Sequence, residues 1–136
     1  MRYVMESVYR HAAQYIPELT CYVGTADSDS TLPYAVLNIT GAPDADYTTD
    51  HYSSRVYSVQ FSVYGTGYKQ VAGYTESIRE AFERETVVMS GGYSLLAVYD
   101  AGQSLENDPY YQVDGVEVWT GVQMLDLDIE RKYRRV

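Results

Sequence analysis

The sequence has few of the residues from which reactive centres are built. Its 136 residues include one cysteine, Cys21, and two histidines, His11 and His51. A single cysteine excludes an intrachain disulfide and gives no support for secretion, so we predict a soluble protein made in a reducing cytoplasm. Because free cysteine is among the most buried residue types, we interpret Cys21 as an inert thiol. Nothing in the sequence pairs the two histidines, and we predict no catalytic role for either.

Long apolar runs are also absent. Residues 1–15 place Arg2, Glu6, Arg10 and His11 among apolar side chains, so they lack the unbroken apolar core of a signal peptide. No segment approaches the length that is needed to span a bilayer. We therefore expect no membrane partner.

Basic residues are scarce outside the C-terminus. The chain has 19 acidic and 10 basic residues, a formal net charge of −9. Four of the basic residues lie within residues 131–136, so residues 1–130 hold six basic against 19 acidic residues, or −13. Such an acidic body argues against a domain that wraps nucleic acid. We predict a single domain, residues 1–130, and a basic C-terminal tail, residues 131–136, which is either a solvated terminus or a contact with a neighbouring copy.

Tyrosine is abundant where the other aromatic residues are rare. The sequence has 16 tyrosines against two phenylalanines and one tryptophan. Tyrosine has a high strand propensity, which explains part of this number. It is also enriched at protein–protein interfaces, because it buries a ring while keeping a polar hydroxyl. The two explanations are compatible.

Residues 55–85 contain the clearest pattern in the chain. Up to Gly65, apolar and polar residues alternate with period two, which indicates a half-buried strand. After Gly67 the apolar residues recur at helical spacing. One side of the strand holds Arg55, Tyr57, Val59, Phe61 and Val63, and the helix stripe over residues 69–85 is Val71, Tyr74, Ile78 and Phe82. The pattern predicts a strand, a turn on the two glycines and a helix that packs back on the sheet.

The rest of the chain predicts one more helix and several strands. A helix ends before Pro17, strands follow at about 21–24 and at 34–41, and a polar arm covers 42–54. Past the second helix we predict a strand at 93–101, with residues 95, 97 and 99 on one face, then a loop at 102–115. Strand pairing at Tyr110 to Val113 is left open within this loop. A final strand at 116–129 has a bulge or a bend near 121–125. The order α-β-β-β-α-β-β predicts an α+β fold, an antiparallel sheet with two helices packed on one face.

Other candidate sites are incomplete. Gly65-Thr-Gly67-Tyr-Lys69 lacks the spacing of a phosphate-binding loop. Asp27 with Asp29, and Asp44 and Asp46 with Asp50, offer carboxylates to a cation but lack the spacing of a calcium site. The alternating acids Asp126, Asp128 and Glu130 indicate a solvated strand face. We therefore predict no catalytic, cofactor-binding or metal-ligating residues, no cofactor and no enzymatic activity.

Taken together, these elements resemble a known family. An N-terminal helix is followed by a strand entered at Pro33-Tyr34, a polar arm, and a strand over residues 56–65 that leads into a helix. Over roughly residues 4–130 this arrangement resembles the small tail-completion, or tail-terminator, proteins of long-tailed bacteriophages.

The resemblance implies a structural virion protein. Such a subunit forms a homo-oligomeric ring, commonly of six copies, that caps the tail tube and meets the head-side connector or neck proteins. DNA would pass through the lumen without specific binding, and an acidic wall would help it to slide. The protein would reside in the virion and, during assembly, in the host cytoplasm. Two alternatives remain open: a head-closure or neck connector protein, and a small-molecule binding domain.

Overall fold

The computed structural model describes residues 2–27, 30–41, 46–47, 52–113 and 115–132. Two helices and six strands follow one another along the chain. They are α1 (Arg2–Tyr15), β1 (Thr20–Val23), β2 (Tyr34–Gly41), β3 (Asp46–Tyr47), β4 (Tyr52–Gly65), α2 (Tyr68–Arg84), β5 (Tyr93–Val113) and β6 (Val116–Lys132). The predicted order is confirmed, with the two-residue β3 as an addition within the polar arm.

The strands form one mostly antiparallel sheet in the order β1-β2-β4-β6-β5, and β3 pairs with β4. The exception is β1, which runs parallel to β2 with Cys21 beside Ala35. Parallel neighbours require a crossover connection rather than a tight hairpin, and here residues 24–33 provide it. The α+β fold predicted from the sequence is confirmed.

Both helices pack on the same face of the sheet, as predicted. The inward residues of β4 and the stripe of α2 meet in the core, where the rings of Phe61 and Phe82 lie 5.5 Å apart. Val4 and Val8 of α1 are fully buried in the same cluster. Burial of a side chain such as Phe61 contributes roughly 1.5–3 kcal/mol, so this layer provides most of the driving force for folding.

The junction of β4 and α2 is the predicted glycine turn. The strand ends at Gly65 and the helix begins at Tyr68, with the amide of Val71 donating to the carbonyl oxygen of Gly67 at 3.1 Å. A Cβ at Gly65 would lie 2.7 Å from a methyl group of Val71. Glycine is therefore required here by the close approach of the helix, without any ligand.

The loop predicted at residues 102–115 is wrong, whereas the strand pairing left open at residues 110–113 is confirmed by Gln112↔Glu117 and Val113↔Val116. β5 continues to Val113, and pairs such as Gln103↔Gln123 and Asp108↔Val118 extend it along β6. Cross-strand hydrogen bonds therefore override the polar, turn-like local composition. Gly102, with φ of 126°, lies at a register shift within the strand rather than in a loop.

Of the bulge or bend predicted near residues 121–125, the bulge is wrong. β6 pairs with β4 without a shift from Trp119 to Lys132. The shifts lie in the neighbouring strand β5, at 95/97, 100/102 and 108/112. The apolar phase of β6 shifts in the sequence only because Gly121 and Gln123, rather than apolar residues, occupy inward positions.

The first shift in β5 also reverses a predicted face. We predicted that residues 95, 97 and 99 share one side of this strand. Instead Leu95 and Val98 pack against the core, while Leu96 and Tyr99 are 53% and 57% exposed. An extra residue at the bulge changes the phase of everything that follows it.

Some predictions fall outside the described residues. These concern Asp29, Asp44, Asp50, His51, most of the arm at 42–54, and residues 133–136. β6 includes residues 131 and 132, and the division into a domain of residues 1–130 and a tail of residues 131–136 stays a prediction.

Candidate assembly surface

His11 is a buried structural residue of α1. It is 4% exposed, and its Nε2 lies 2.6 Å from the carbonyl oxygen of Ala81 in the last turn of α2. Its ring also packs against Phe82, with centroids 4.7 Å apart. Burial lowers the pKa of His11 by disfavouring the charged imidazole, and the hydrogen bond to Ala81 opposes this shift. The sequence did not indicate that this histidine joins the two helices.

Cys21 lies half-buried at the start of β1. It packs against the core beside Ala35 and Phe61. Desolvation raises the pKa of its thiol to about 11. Because the thiolate is the nucleophilic form, a raised pKa makes this cysteine unreactive at neutral pH. This agrees with its interpretation as an inert thiol.

Of the carboxylates considered as cation ligands, Asp29, Asp44, Asp46 and Asp50 lie outside the residues whose side chains the structure describes. Asp27 is exposed, and its backbone carbonyl accepts from the amide of Ser30 at 3.1 Å. Among the residues that the structure describes, no group of three or more histidine, cysteine, aspartate or glutamate side chains is placed to hold a metal ion. Likewise, neither described helix is long and apolar enough to cross a membrane.

A polar network around the buried Gln123 joins α2, β5 and β6. Gln123 is fully buried, and its Nε2 donates to Oδ1 of Asp100 at 2.9 Å. Gln103 donates to Oε1 of Gln123 and also, at 3.3 Å, to Glu76 on α2. The amide of Gly102 donates to the same oxygen of Asp100 at 3.0 Å. These donors lower the pKa of Asp100, the Gly102 amide contributing most.

This network fixes the geometry of β5 rather than forming a reactive site. Gln123 points toward the helices, where an amide without hydrogen-bond partners would be costly. The bulge at residues 100–102 places Asp100 and Gly102 as its acceptors. The described groups include no hydrogen-bonded nucleophile and base pair within it. We therefore look for function on the outer surfaces.

We call the face of the sheet opposite the two helices the open face. Residues from five strands point outward from it. By strand alternation and register these include Tyr22, Val36, Tyr34, Tyr64, Gln60, Ser58, Met124, Asp126, Asp128 and Tyr99. Both helices pack on the other side, so these side chains face outward. A flat, partly aromatic sheet face of this kind is suited to contact with another protein.

One end of the open face is aromatic. The rings of Tyr22 and Tyr34 lie 5.8 Å apart, edge to face, and those of Tyr34 and Tyr64 lie 5.2 Å apart. The three tyrosines form a row across β1, β2 and β4. Tyrosine presents a large apolar ring at low entropic cost, which favours a binding surface. Three of the 16 tyrosines are thus grouped on one surface, and the interface predicted from composition stays a prediction.

The other end of the open face is polar and acidic. Asp126 and Asp128 point outward from β6, opposite Leu125 and Leu127, as predicted. Ser58 on β4 donates to Oδ1 of Asp126 at 2.9 Å. Tyr99, paired with Asp126 across β5 and β6, is 57% exposed. The open face therefore combines an aromatic half with a negatively charged half.

The β5–β6 hairpin extends beyond the rest of the sheet. β4 ends with Gly65 opposite Trp119, so the part of β6 before Trp119 pairs with β5 alone. Within it, Nδ2 of Asn107 donates to Glu117 at 2.7 Å. The strand pairing left open at residues 110–113 points to this hairpin, but its full length was not predicted. The polar composition of the segment gives no local signal for pairing between strands.

Two open cavities lie along the side where α2 meets β5. One, of about 360 Å³, is lined by the last turn of α2, the residues that follow it, and residues 95–98. The other, of about 280 Å³, is lined by Ala72, Thr75 and residues 103–105. Both are grooves rather than enclosed pockets, and this suits an extended or protruding segment of another chain better than an enclosed small molecule.

Comparison with known proteins identifies the fold. No protein-family model and no curated protein matches the sequence. Among solved structures, the chain is similar to one from the "Virion of native gene transfer agent (GTA) particle", with a TM-score of 0.70, 15% identity, and 93% of this chain and 94% of that chain covered. It is also similar to the bacteriophage SPP1 gp17 protein, with a TM-score of 0.54, 14% identity, and coverage of 93% and 88%. The chain thus shares, over nearly its whole length, the fold of a chain from a virion particle and of a bacteriophage protein.

Proposed function

We propose that the protein is a structural virion subunit, and specifically a tail terminator whose ring caps the tail tube and joins it to the head-side connector. The observation that carries this proposal is the shared fold with a chain of a gene transfer agent virion over 93% of the sequence. The second similarity, to a bacteriophage protein, supports the same class of particle. In this role the protein acts through contacts between chains rather than through catalysis.

The surfaces of the subunit support an assembly role. A closed ring needs a heterologous interface, in which two different patches of the same chain meet. The open face, the projecting hairpin and the grooves beside α2 are different surfaces, so one copy can present one of them to another. The tyrosine row gives the open face the amphipathic character of an interface.

The charge of the subunit supports passage of DNA through the ring. Outside residues 131–136 the chain has six basic and 19 acidic residues. A wall with this charge repels phosphates, so DNA slides through the lumen without specific binding. The protein then resides in the virion tail or neck and, during assembly, in the host cytoplasm.

Reconstitution with tail tubes tests this function. Purified protein is mixed with tubes of the tube protein encoded beside it, and the tubes are imaged by negative stain. We expect an added ring of density at one end of each tube, commonly with six-fold symmetry. Tubes whose ends stay bare at saturating protein would contradict the proposal.

The same preparation distinguishes the head-closure or neck connector function. A tail terminator co-purifies with the tube protein in the absence of any head component. A head-closure protein instead binds the portal or adaptor protein and leaves isolated tubes unchanged. A metabolite that remains bound in native mass spectrometry would favour the small-molecule binding domain.

A further inference from the structure

A groove at the end of α2 combines an apolar floor with an acidic rim. We call it the α2–β5 groove; its volume is about 360 Å³. Phe82 and Val87 are buried at its floor, with the partly buried Leu95 and Val98 beside them. Glu83 and Glu85 are exposed at its rim.

The rim has a negative potential from two sources. α2 ends at Arg84, and the last carbonyl groups of a helix carry a partial negative charge. Arg84, the basic residue of the last turn, is directed to Glu80 on its own helix at 3.7 Å. Glu83 and Glu85 add two carboxylates at the same end. A cation that approaches the groove is therefore attracted by both the helix end and the side chains.

Arginine has the chemistry that this groove requires. Its aliphatic stem packs along apolar surface while the guanidinium stays at the rim, where it meets carboxylates in a two-pronged geometry. The sequence provides such side chains within residues 131–136, where Arg134 and Arg135 follow Arg131 and Lys132. The floor and the rim thus match the two parts of an arginine side chain.

The end of β6 points away from the groove of its own chain. Arg131 pairs with Tyr93 at the start of β5, and the two strands are antiparallel. The direction of β6 at Lys132 points away from residues 95–98. These residues lie about 7–17 Å from Tyr93 along β5, at ~3.3 Å per residue. A chain would have to reverse direction to fill its own groove, whereas a neighbouring copy has no such constraint.

We propose that the α2–β5 groove of one copy binds the basic segment that follows β6, residues 133–136, of a second copy. This contact deepens the proposed ring and rests on it. The groove and the segment are different patches of the same chain, so each copy receives one neighbour's segment and offers its own to the next. Such head-to-tail contacts close into a ring when their rotation allows.

Charge reversal on each side of the contact tests this inference. One variant carries Glu83→Lys and Glu85→Lys, and another carries Arg134→Glu and Arg135→Glu. Self-association is measured by sedimentation velocity over a concentration series at about 50 mM salt, where electrostatic contacts are weakly screened. We expect the wild-type chain to associate, and each variant to associate at least ~10-fold more weakly because attraction becomes repulsion.

Mixing the two variants separates contact between copies from contact within one. In an equal mixture, the basic groove of the first variant can bind the acidic segment of the second. The unchanged groove of the second variant can bind the unchanged segment of the first. We therefore expect association to return. The matched control, Glu18→Lys with Asp27→Lys, changes the same charge at exposed sites away from the groove and the open face, and leaves association within about two-fold. Circular dichroism confirms that every variant is folded.

Two results would overturn the inference. One is a wild-type chain that stays monomeric throughout, or variants that associate as the wild type does. The other is loss in both variants without recovery in the mixture, which would indicate that each chain binds its own segment or a different partner. Tube-end capping separates failure of this contact from failure of the proposed function. If a variant with reversed charges still caps tubes, the contact is overturned and the tail-terminator function stands. If association recovers in the mixture but tube ends stay bare, the tail-terminator function is overturned and the contact stands.

Discussion

His11 and Ala81 join the two helices through one hydrogen bond, with Nε2 of the imidazole 2.6 Å from the backbone carbonyl oxygen. Ala81 lies in the last turn of α2, where carbonyl groups have no partner within the helix. The Nε2–H of His11 satisfies one of them from inside the core. The bond therefore aligns α1 with α2 and ends α2 at the same point.

This relationship predicts a stability that depends on pH. Because the pKa of His11 is lowered in the folded state, the unfolded chain binds a proton more readily. The contribution is fully present above the unfolded value of about 6.5 and is lost as the pH falls below it. We expect the free energy of unfolding to decrease from pH 7.5 to pH 5 in urea titrations. In His11→Gln, which can still donate to Ala81 but does not titrate, this decrease should be reduced, and an equal decrease would contradict the assignment.

Two glycines of the helix–sheet layer should respond oppositely to alanine. A Cβ at Gly121 would lie 2.7 Å from Val71 and closer still to Thr75, so Gly121→Ala should destabilise the protein by about 1–3 kcal/mol. Gly73, within α2, has open space around it, and Gly73→Ala should stabilise the helix by up to ~1 kcal/mol. Urea unfolding of both variants measures the difference. Equal effects would show that α2 does not approach β6 closely.

The buried amide of Gln123 should be required for the register of β5. Gln123→Leu keeps a similar volume but removes one of the donors to Asp100 and one of the acceptors of Gln103, at a cost of about 1–3 kcal/mol. The pKa of Asp100 should rise toward its ordinary value in an NMR titration, because one of its donors is lost. Gln60→Leu, on the open face, is the control and should change stability by no more than ~0.5 kcal/mol. An unchanged Asp100 titration in Gln123→Leu would contradict this role.

The open face should contribute to assembly without contributing to folding. Tyr99 and Met124 are 57% and 41% exposed, so Tyr99→Ser with Met124→Ser should shift stability by less than ~1 kcal/mol. Capping of tubes should nevertheless weaken by ~10-fold or more if these side chains are buried in the ring. Tyr9→Ser, which changes an exposed tyrosine of α1 on the helical side, is the matched control. Equal capping by both variants would exclude this part of the open face from the contacts.

The local pattern predicted those elements whose burial is regular. Tyr57 to Val63 alternate strictly and Val71 to Phe82 repeat at helical spacing. Both sets are buried as predicted except Tyr74, which is partly buried. Each of these residues points to a single core face, so period alone indicates the element. The pattern failed where inward positions are not apolar. Gly121 and Gln123 hide the phase of β6, because one is required by a close helix and the other by a hydrogen-bond network.

The sequence by itself determined the fold class, the order of elements and the acidic, tyrosine-rich character of the chain. These follow from composition and from periods of a few residues, which report how each segment divides between core and solvent. Tertiary contacts were needed to fix the length of β5, the outward orientation of Leu96 and Tyr99, and the groove between α2 and β5. They depend on pairing and packing between residues far apart in the chain, such as Asp100 with Gln123 and Ala81 with His11, and no local pattern encodes such contacts.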